Sequence, residues 1–112
     1  MISKEKWLEV NLEKALDPEL PICDPHHHLW VKKHNFFQET YLLPDFLRDI
    51  ESGHNIVSTV FVECGAIHSQ DRSTAENNIA EVEFVNGIAA MSQSGLFGGT
   101  KVAAGIVGSA PL

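Results

Sequence analysis

The clearest strand candidate of the chain is NIVSTVFVEC, a mainly apolar run from Asn55 to Cys64 that is rich in β-branched residues. A short run of this kind is typical of a strand that is buried on both faces of a sheet. Two further runs are strand candidates: PICDPHHH from Pro21, and the apolar KVAAGIVGSAPL from Lys101. The pattern therefore predicts three strands, in the order in which these runs occur.

Apolar residues at helical spacing precede and separate these strands. The segment SKEKWLEVNLEKAL predicts a short amphipathic helix that ends at Asp17-Pro18. Its apolar residues at helical spacing are Leu8, Leu12, Ala15 and Leu16. A second helix is predicted to begin near Pro44, because proline is favoured in the first helical turn, and to end at Gly53.

The third predicted helix begins at a capping box. Ser73 and Glu76 are three residues apart, so each side chain can accept a hydrogen bond from the backbone amide of the other residue. The helix is predicted to end near Gly95. The residues expected to face the core are Ala75, Ile79, Val82, Ile88 and Ala89.

Alternating strands and helices predict an α/β fold, in which parallel strands are joined by crossover helices. With 112 residues the chain has room for one domain. We expect residues 1–19 to form the N-terminal helix and a link, and residues 20–112 to contain the three strands with their helices. Three strands make a thin sheet with an uncovered apolar edge.

Composition narrows the choice of partners. Fifteen acidic and eight basic residues give a net charge of −7, which argues against a nucleic acid or an anionic membrane as partner. A small-molecule substrate or another protein is expected instead. The chain contains no run of about 18 apolar residues, and its N-terminus lacks the apolar segment of a signal peptide. We therefore expect a cytoplasmic protein.

The two cysteines, Cys23 and Cys64, both lie in apolar stretches. We expect them to be buried as small hydrophobic residues, because thiols in such stretches usually are. A disulfide between them is the alternative, which the lack of an export signal disfavours.

The stretch ICDPHHHLW carries the most distinctive candidate chemistry of the chain. Because side chains alternate along a strand, Ile22, Asp24, His26 and His28 are predicted to share one face. Two imidazoles at this spacing could bind one zinc ion at about 2.0–2.1 Å, with Asp24 orienting an imidazole by hydrogen bonding. His27 would pack against a helix or reach water. The alternative for the whole run is a surface patch without a metal.

A divalent site commonly needs about three protein ligands. Of the other histidines, His34, His54 and His68, only His68 is expected at the same end of the sheet, and a solvated loop position is the alternative for it. Glu63, at the end of the second strand, is predicted to serve as an acid, a base or a substrate contact, or else to cap a neighbouring amide. Glu81 and Glu83 are expected on a solvated helix face, because carboxylates are rarely buried.

Aromatic residues follow the histidine run. Trp30 is a candidate substrate contact, because it lies in the loop after the first strand, at the end of the sheet where α/β folds bind their ligands. The alternative is a small hydrophobic cluster beneath that loop, formed by Trp30, Phe36, Phe37 and Tyr41.

ICDPHHHLW resembles the opening strand of the amidohydrolase superfamily, in its amidohydrolase-related branch of predicted metal-dependent TIM-barrel hydrolases. VFVEC in the second strand, AEVEFVNGIAAMSQSG in the helix and KVAAGIVGSAPL in the third strand resemble that branch in order and spacing. The resemblance extends from about Leu20 to Leu112.

This resemblance implies a (β/α)₈ barrel with a divalent metal, zinc being expected, at the carboxyl ends of its strands. His26 and His28 match the first-strand ligand pair. The implied reaction is hydrolysis of a lactone, amide or related carbonyl bond by metal-activated water. Related enzymes include decarboxylases and lactonases that work without metal, and either activity is an alternative, as is a non-catalytic metal-binding fragment.

The chain departs from the family pattern in two ways. Ser109 and Pro111 stand where relatives are expected to carry a histidine and an aspartate. A barrel of this kind takes roughly 250 residues, so the chain would supply only the first three strand–helix units. We expect a truncated, N-terminal fragment that is inactive alone, because the general base lies outside it. Such a fragment would self-associate or pair with a complementary C-terminal half.

Overall fold

The computed structural model describes residues 2–32 and 39–112. The helices and strands within them are, in chain order, α1 (Lys4–Glu9), β1 (Pro21–His27), α2 (Leu43–Ile50), β2 (Asn55–Val62), α3 (Thr74–Gln93) and β3 (Lys101–Val107). Among the described residues, no helix has both the length and the apolar character to cross a membrane.

The three described strands form one open sheet in the order β1-β2-β3, and both neighbouring pairs are parallel. This confirms the predicted α/β class and the parallel strands joined through helices. The origin of the sheet as part of a TIM barrel stays a prediction.

The core lies between one face of the sheet and the helices α2 and α3. Its buried residues are Leu29, Leu43, Phe46, Phe61, Ala66, Val85, Ile88, Ala89, Val102 and Ala103. On β2 only Thr59 and Phe61 are buried, while the opposite face, which carries Ile56 and Val60, is partly exposed. The prediction that β2 is buried on both faces is therefore wrong, because the described helices cover one face only.

Helix α1 is shorter than predicted. It begins after Ser3, whose side chain accepts a hydrogen bond from the Lys6 amide at 3.2 Å, and ends at Glu9. None of its residues is buried, and both Leu12 and Leu16, predicted to lie on its apolar face, are beyond its end and exposed. Short helices are marginal in water without tertiary packing, which explains why the periodic pattern does not continue as a helix.

Helix α2 follows its prediction closely. Pro44 lies in its first turn, the helix is capped at Glu51, and the chain reverses at Gly53 with φ of 123°. Only glycine adopts such a backbone conformation without strain.

Helix α3 begins at the predicted capping box. Ser73 Oγ accepts from the Glu76 amide at 3.2 Å, and Glu76 Oε2 accepts from the Ser73 amide at 3.4 Å. The helix ends just before Gly95, as expected, where φ is 79°.

The predicted core face of α3 is only half correct. Ile88 and Ala89 are buried, but Ala75, Ile79 and Val82 are exposed. The buried positions in the first half of the helix are instead polar, and they are Asn77, Asn78 and Glu81. Asn77 and Glu81 bind backbone groups of the preceding loop: Asn77 accepts from the Ser69 amide at 2.9 Å and Glu81 from the Ala66 amide at 2.6 Å.

Strand β3 contains a bulge and ends at Val107, five residues before the predicted end. Its register against β2 shifts, because Ser58 pairs with Lys101 whereas Val60 pairs with Gly105. Within the shifted segment Ala103 has a positive φ of 52°, which is unusual for a residue with a side chain. Side-chain hydroxyls replace the missing ladder partners: Ser92 Oγ accepts from the Val102 amide at 2.9 Å and Thr59 Oγ1 from the Ala103 amide at 2.8 Å.

Candidate functional site

The carboxyl-terminal part of β1, which carries the three histidines, is interrupted by a bulge. Asp24 pairs with Thr59 and His27 with Phe61, so β1 uses one residue more than β2 over this stretch. Pro25 lies in the bulge, and a proline within a strand is a sequence signal for such a feature. The bulge removes the strict alternation that placed Asp24 on the face of His26 and His28.

Asp24 forms a local hydrogen bond, in which its Oδ1 accepts from the backbone amide of His26 at 3.1 Å. Orientation of an imidazole by this carboxylate stays a prediction. An amide in a bulge lacks its regular ladder partner, so this carboxylate satisfies it locally.

The rings of His26 and His28 lie together, as predicted. Their centroids are 5.0 Å apart and the ring planes are nearly perpendicular, at 85°. His26 is exposed and His28 is half-buried. Two imidazoles are thus available side by side, next to the carboxyl end of β1.

His28 is fixed in one tautomer by the neighbouring strand. Its Nδ1 lies 2.8 Å from the carbonyl oxygen of Val62, the last residue of β2. A carbonyl can only accept a hydrogen bond, so Nδ1 carries the hydrogen. Nε2 of the neutral ring then keeps its lone pair, as a metal-binding histidine requires.

His27 points to the opposite, helix-covered side and is 7% exposed. Its ring stacks on Phe46 of α2 with centroids 4.1 Å apart, and Nε2 lies 2.9 Å from Thr59 Oγ1. Burial, the largest effect, lowers the pKa of His27 below its ordinary value, against the nearby Asp24 carboxylate, which raises it. Of the two expectations for His27, packing against a helix is confirmed.

Backbone hydrogen bonds join the segments that follow β1, β2 and β3. The Val31 amide donates to the Ala66 carbonyl at 3.2 Å, and the Glu63 amide donates to the Val107 carbonyl at 2.9 Å. The Cys64 thiol donates to the Leu29 carbonyl at 3.3 Å. The carboxyl ends of the three strands are therefore held as one edge beside the histidine pair.

The cysteines are not joined by a disulfide. Cys64 is half-buried, but Cys23 is exposed, so the prediction that both are buried is wrong for Cys23. Cys23 lies at an edge of the sheet, on a strand that has a neighbour on one side only.

Glu81 is the residue of this region that the sequence pattern missed. It is 2% exposed, although a solvated position was predicted for it, and its Oε2 accepts from the amides of Ala66 at 2.6 Å and Cys64 at 3.2 Å. Glu83 is exposed, as predicted. The signal that could have identified Glu81 is its helical spacing from Asn77, because the two form a polar stripe on one face of α3.

Glu63 follows the end of β2 and is exposed. Within the described part of the chain its carboxylate accepts no hydrogen bond, and the neighbouring amides of Cys64 and Ala66 are capped by Glu81 instead. Contact of Glu63 with a substrate stays a prediction.

Trp30 forms a compact pair with Tyr41. Their rings stack with centroids 4.9 Å apart, their backbones form a two-residue bridge, and Trp30 Nε1 donates to the Glu39 carbonyl at 2.7 Å. Two members of the predicted aromatic cluster thus meet, whereas Phe36 and Phe37, like His34, lie outside the described residues. Contact of Trp30 with a substrate stays a prediction.

The histidine pair has no third ligand beside it in the described ranges. No group of three or more histidine, cysteine, aspartate or glutamate residues there could hold a metal ion. His68 is exposed on the loop after β2, and His54 is exposed just before β2, at the other end of the strand.

Comparison of the chain with protein-family models, with curated proteins and with solved structures finds no match. The resemblance to the amidohydrolase superfamily stays a prediction from the sequence motifs.

Proposed function

We propose that His26 and His28 form the first-strand part of the metal centre of an amidohydrolase-type hydrolase, which acts on a lactone, amide or related carbonyl bond. The observation that supports this most directly is the hydrogen bond from His28 Nδ1 to the Val62 carbonyl. It leaves Nε2 as the ligating atom, beside the exposed ring of His26.

A divalent ion held here, zinc being the expected one, would polarise the substrate carbonyl and lower the pKa of a bound water. The chain's own contribution is to hold the ligands. His28 is fixed by Val62, whereas His26 is held only through its backbone amide, by Asp24. The ring of His26 can therefore turn from its edge-on contact with His28 toward a shared ion.

The proposal requires groups beyond this pair. A catalytic zinc site commonly has about three protein ligands. In the proposal the remaining ligands and the general base come from further strand–helix units, either in the same polypeptide or in a complementary chain. Glu63 and Trp30, at the same edge of the sheet, are the proposed substrate contacts.

Zinc binding to single-site variants tests the ligand pair. His26→Ala and His28→Ala are each expected to weaken zinc binding measured by calorimetry, because each removes one of two ligands. His54→Ala and His68→Ala, which remove exposed histidines away from the pair, are the controls and should bind as the unaltered chain does. Equal binding by all four variants would contradict the proposal.

Catalysis is tested in a chimaera in which residues 20–112 replace the first three strand–helix units of an amidohydrolase barrel of known activity. We expect lactone or amide turnover that depends on added metal and is lost in the His26→Ala/His28→Ala double variant. Turnover that survives this double substitution would show that the pair does not serve the reaction.

A further inference from the structure

The hydroxyl of Thr59 lies between the irregular stretch of β1 from Asp24 to His27 and the irregular stretch of β3. In the β1–β2 pairing Thr59 is the partner of Asp24, where the β1 bulge begins, and in the β2–β3 pairing it lies within the shifted stretch. Its side chain is fully buried. Thr59 Oγ1 lies 2.8 Å from the Ala103 amide and 2.9 Å from His27 Nε2, so one hydroxyl contacts both bulges.

The Ala103 amide can only donate, so Thr59 Oγ1 accepts from it. The hydroxyl keeps one hydrogen and a second lone pair, so it can donate to His27 Nε2 or accept from it, according to the tautomer of His27. In either tautomer one hydroxyl joins Ala103 of β3 to His27 of β1.

This contact sets the side to which His27 points. In a regular strand the ladder of backbone hydrogen bonds fixes the side of each residue, but that ladder is interrupted between Asp24 and His27. The bond to Thr59, together with stacking on Phe46, holds His27 on the helix side. The residues before and after His27 in the extended chain are then directed to the opposite side, where the rings of His26 and His28 meet.

We propose that Thr59 is a positioning residue for the histidine pair, which it holds in place through His27. The role of the pair as metal ligands rests on the function proposed above, whereas the geometric effect of Thr59 does not. Among the described residues the Thr59 hydroxyl forms hydrogen bonds with His27 and Ala103, not with His26 or His28, so its proposed influence reaches the pair through His27 and the β1 backbone.

Three substitutions separate positioning from a general loss of stability. Thr59→Val keeps the shape of the side chain and removes the hydroxyl, and Thr59→Ser restores the hydroxyl. Ser92→Ala is the matched control, because Ser92 Oγ holds the same β3 bulge through Val102 but does not contact His27. Should Thr59→Val fail to fold, His27→Phe removes the same hydrogen bond from the other side and keeps an aromatic ring against Phe46.

The first measurement is the nuclear Overhauser effect between the ring protons of His26 and His28 in the metal-free protein, and the second is the zinc dissociation constant. In Thr59→Val and His27→Phe we expect loss of the ring contact. We also expect zinc binding weakened about tenfold, the lower end of what loss of a group that orients metal ligands costs. Thr59→Ser and Ser92→Ala should keep both properties.

The outcomes distinguish the two proposals. An unchanged ring contact in Thr59→Val and His27→Phe overturns the positioning role, and so does an equal loss in Ser92→Ala. Zinc binding by the unaltered chain that is insensitive to His26 and His28, combined with a ring contact that depends on Thr59, supports the positioning role and contradicts the proposed function.

Discussion

The Glu81 carboxylate and the Ala66 backbone amide are joined by a hydrogen bond of 2.6 Å, which links the middle of α3 to the loop after β2. The Ala66 carbonyl in turn accepts from the Val31 amide at 3.2 Å, so the loop after β1 is held as well. One buried acid on a helix thus fixes two of the segments that surround the histidine pair.

Removal of this acid should destabilise the fold. Glu81→Ala leaves the amides of Cys64 and Ala66 without an acceptor, and we expect the free energy of unfolding to fall by about 3 kcal/mol, since each unpaired buried amide costs about 1–3 kcal/mol. Glu81→Gln should cost less, because the amide oxygen can still accept. Urea denaturation measures both changes. Glu83→Ala, on the exposed side of α3, is the control and should change the value by less than about 0.5 kcal/mol.

Two adjacent alanines in the β3 bulge should respond differently to substitution. Ala103 is buried with a positive φ of 52°, whereas Ala104 is exposed. Ala103→Val should lower the free energy of unfolding by about 2 kcal/mol or more, because a β-branched side chain resists positive φ and overpacks the core. Ala104→Val should be close to neutral. Equal effects of both substitutions in thermal unfolding would argue against the bulge.

The ionisation of Tyr41 can be measured directly, because it is the only tyrosine of the chain. Burial, as the largest effect, and the hydrogen bond that its hydroxyl donates to Asp49 raise the pKa of Tyr41 well above its ordinary value. We expect the ultraviolet absorbance of tyrosinate to appear at lower pH in Asp49→Asn than in the unaltered protein. The variant should still ionise above the ordinary value, because burial remains. Glu51→Gln, at the end of α2, should leave the titration unchanged.

The raised pKa of Tyr41 also determines how the stability of the fold changes at basic pH. The unfolded chain loses the Tyr41 proton first, near pH 10, and ionisation then favours the unfolded state. The contribution of Tyr41 to stability is therefore fully present below about pH 10 and is lost as the pH rises through the raised pKa. An unfolding midpoint that increases with pH in this range would contradict the assignment.

The open sheet should lead to self-association. Val107 is 49% exposed on β3, an edge strand in the order β1-β2-β3. Exposed apolar edges favour pairing between chains, and a lysine on the edge opposes it. We expect gel filtration to show a concentration-dependent apparent mass that Val107→Lys reduces. Leu16→Lys adds the same charge outside the sheet and serves as the control.

The parts of the fold that the sequence predicts are those with a strong local signal. The β-branched run NIVSTVFVEC predicts β2, and the stretch PICDPHHH predicts β1, each to within two residues of the observed ends. The capping box predicts the start of α3. The predicted N-terminal helix is wrong beyond Glu9, because the apolar residues of this segment are not packed against the rest of the protein. The exposure of Ile79 could not be predicted from helical spacing. Asn77 and Glu81 occupy the buried side of α3 instead, because they accept hydrogen bonds from loop amides, and this requirement leaves no apolar pattern in the sequence.

The arrangement of the histidine run could be predicted to a similar extent, whereas its role as a metal site stays a prediction. Alternation within three successive residues correctly places His26 and His28 together and His27 apart. It does not extend to Asp24, because the register shifts between Asp24 and His27. The hydrogen bond between Thr59 and His27 could not be predicted, because it joins residues 32 positions apart and local sequence patterns carry no information about such contacts.

The exposure of Cys23 has a practical consequence for labelling. A thiol-directed reagent should attach there first, because the sulfur of Cys64 is half-buried and donates to the Leu29 carbonyl. A spin label at this position would lie three residues along the chain from His26, where a paramagnetic ion such as Cu²⁺ bound to the histidine pair would broaden its resonance.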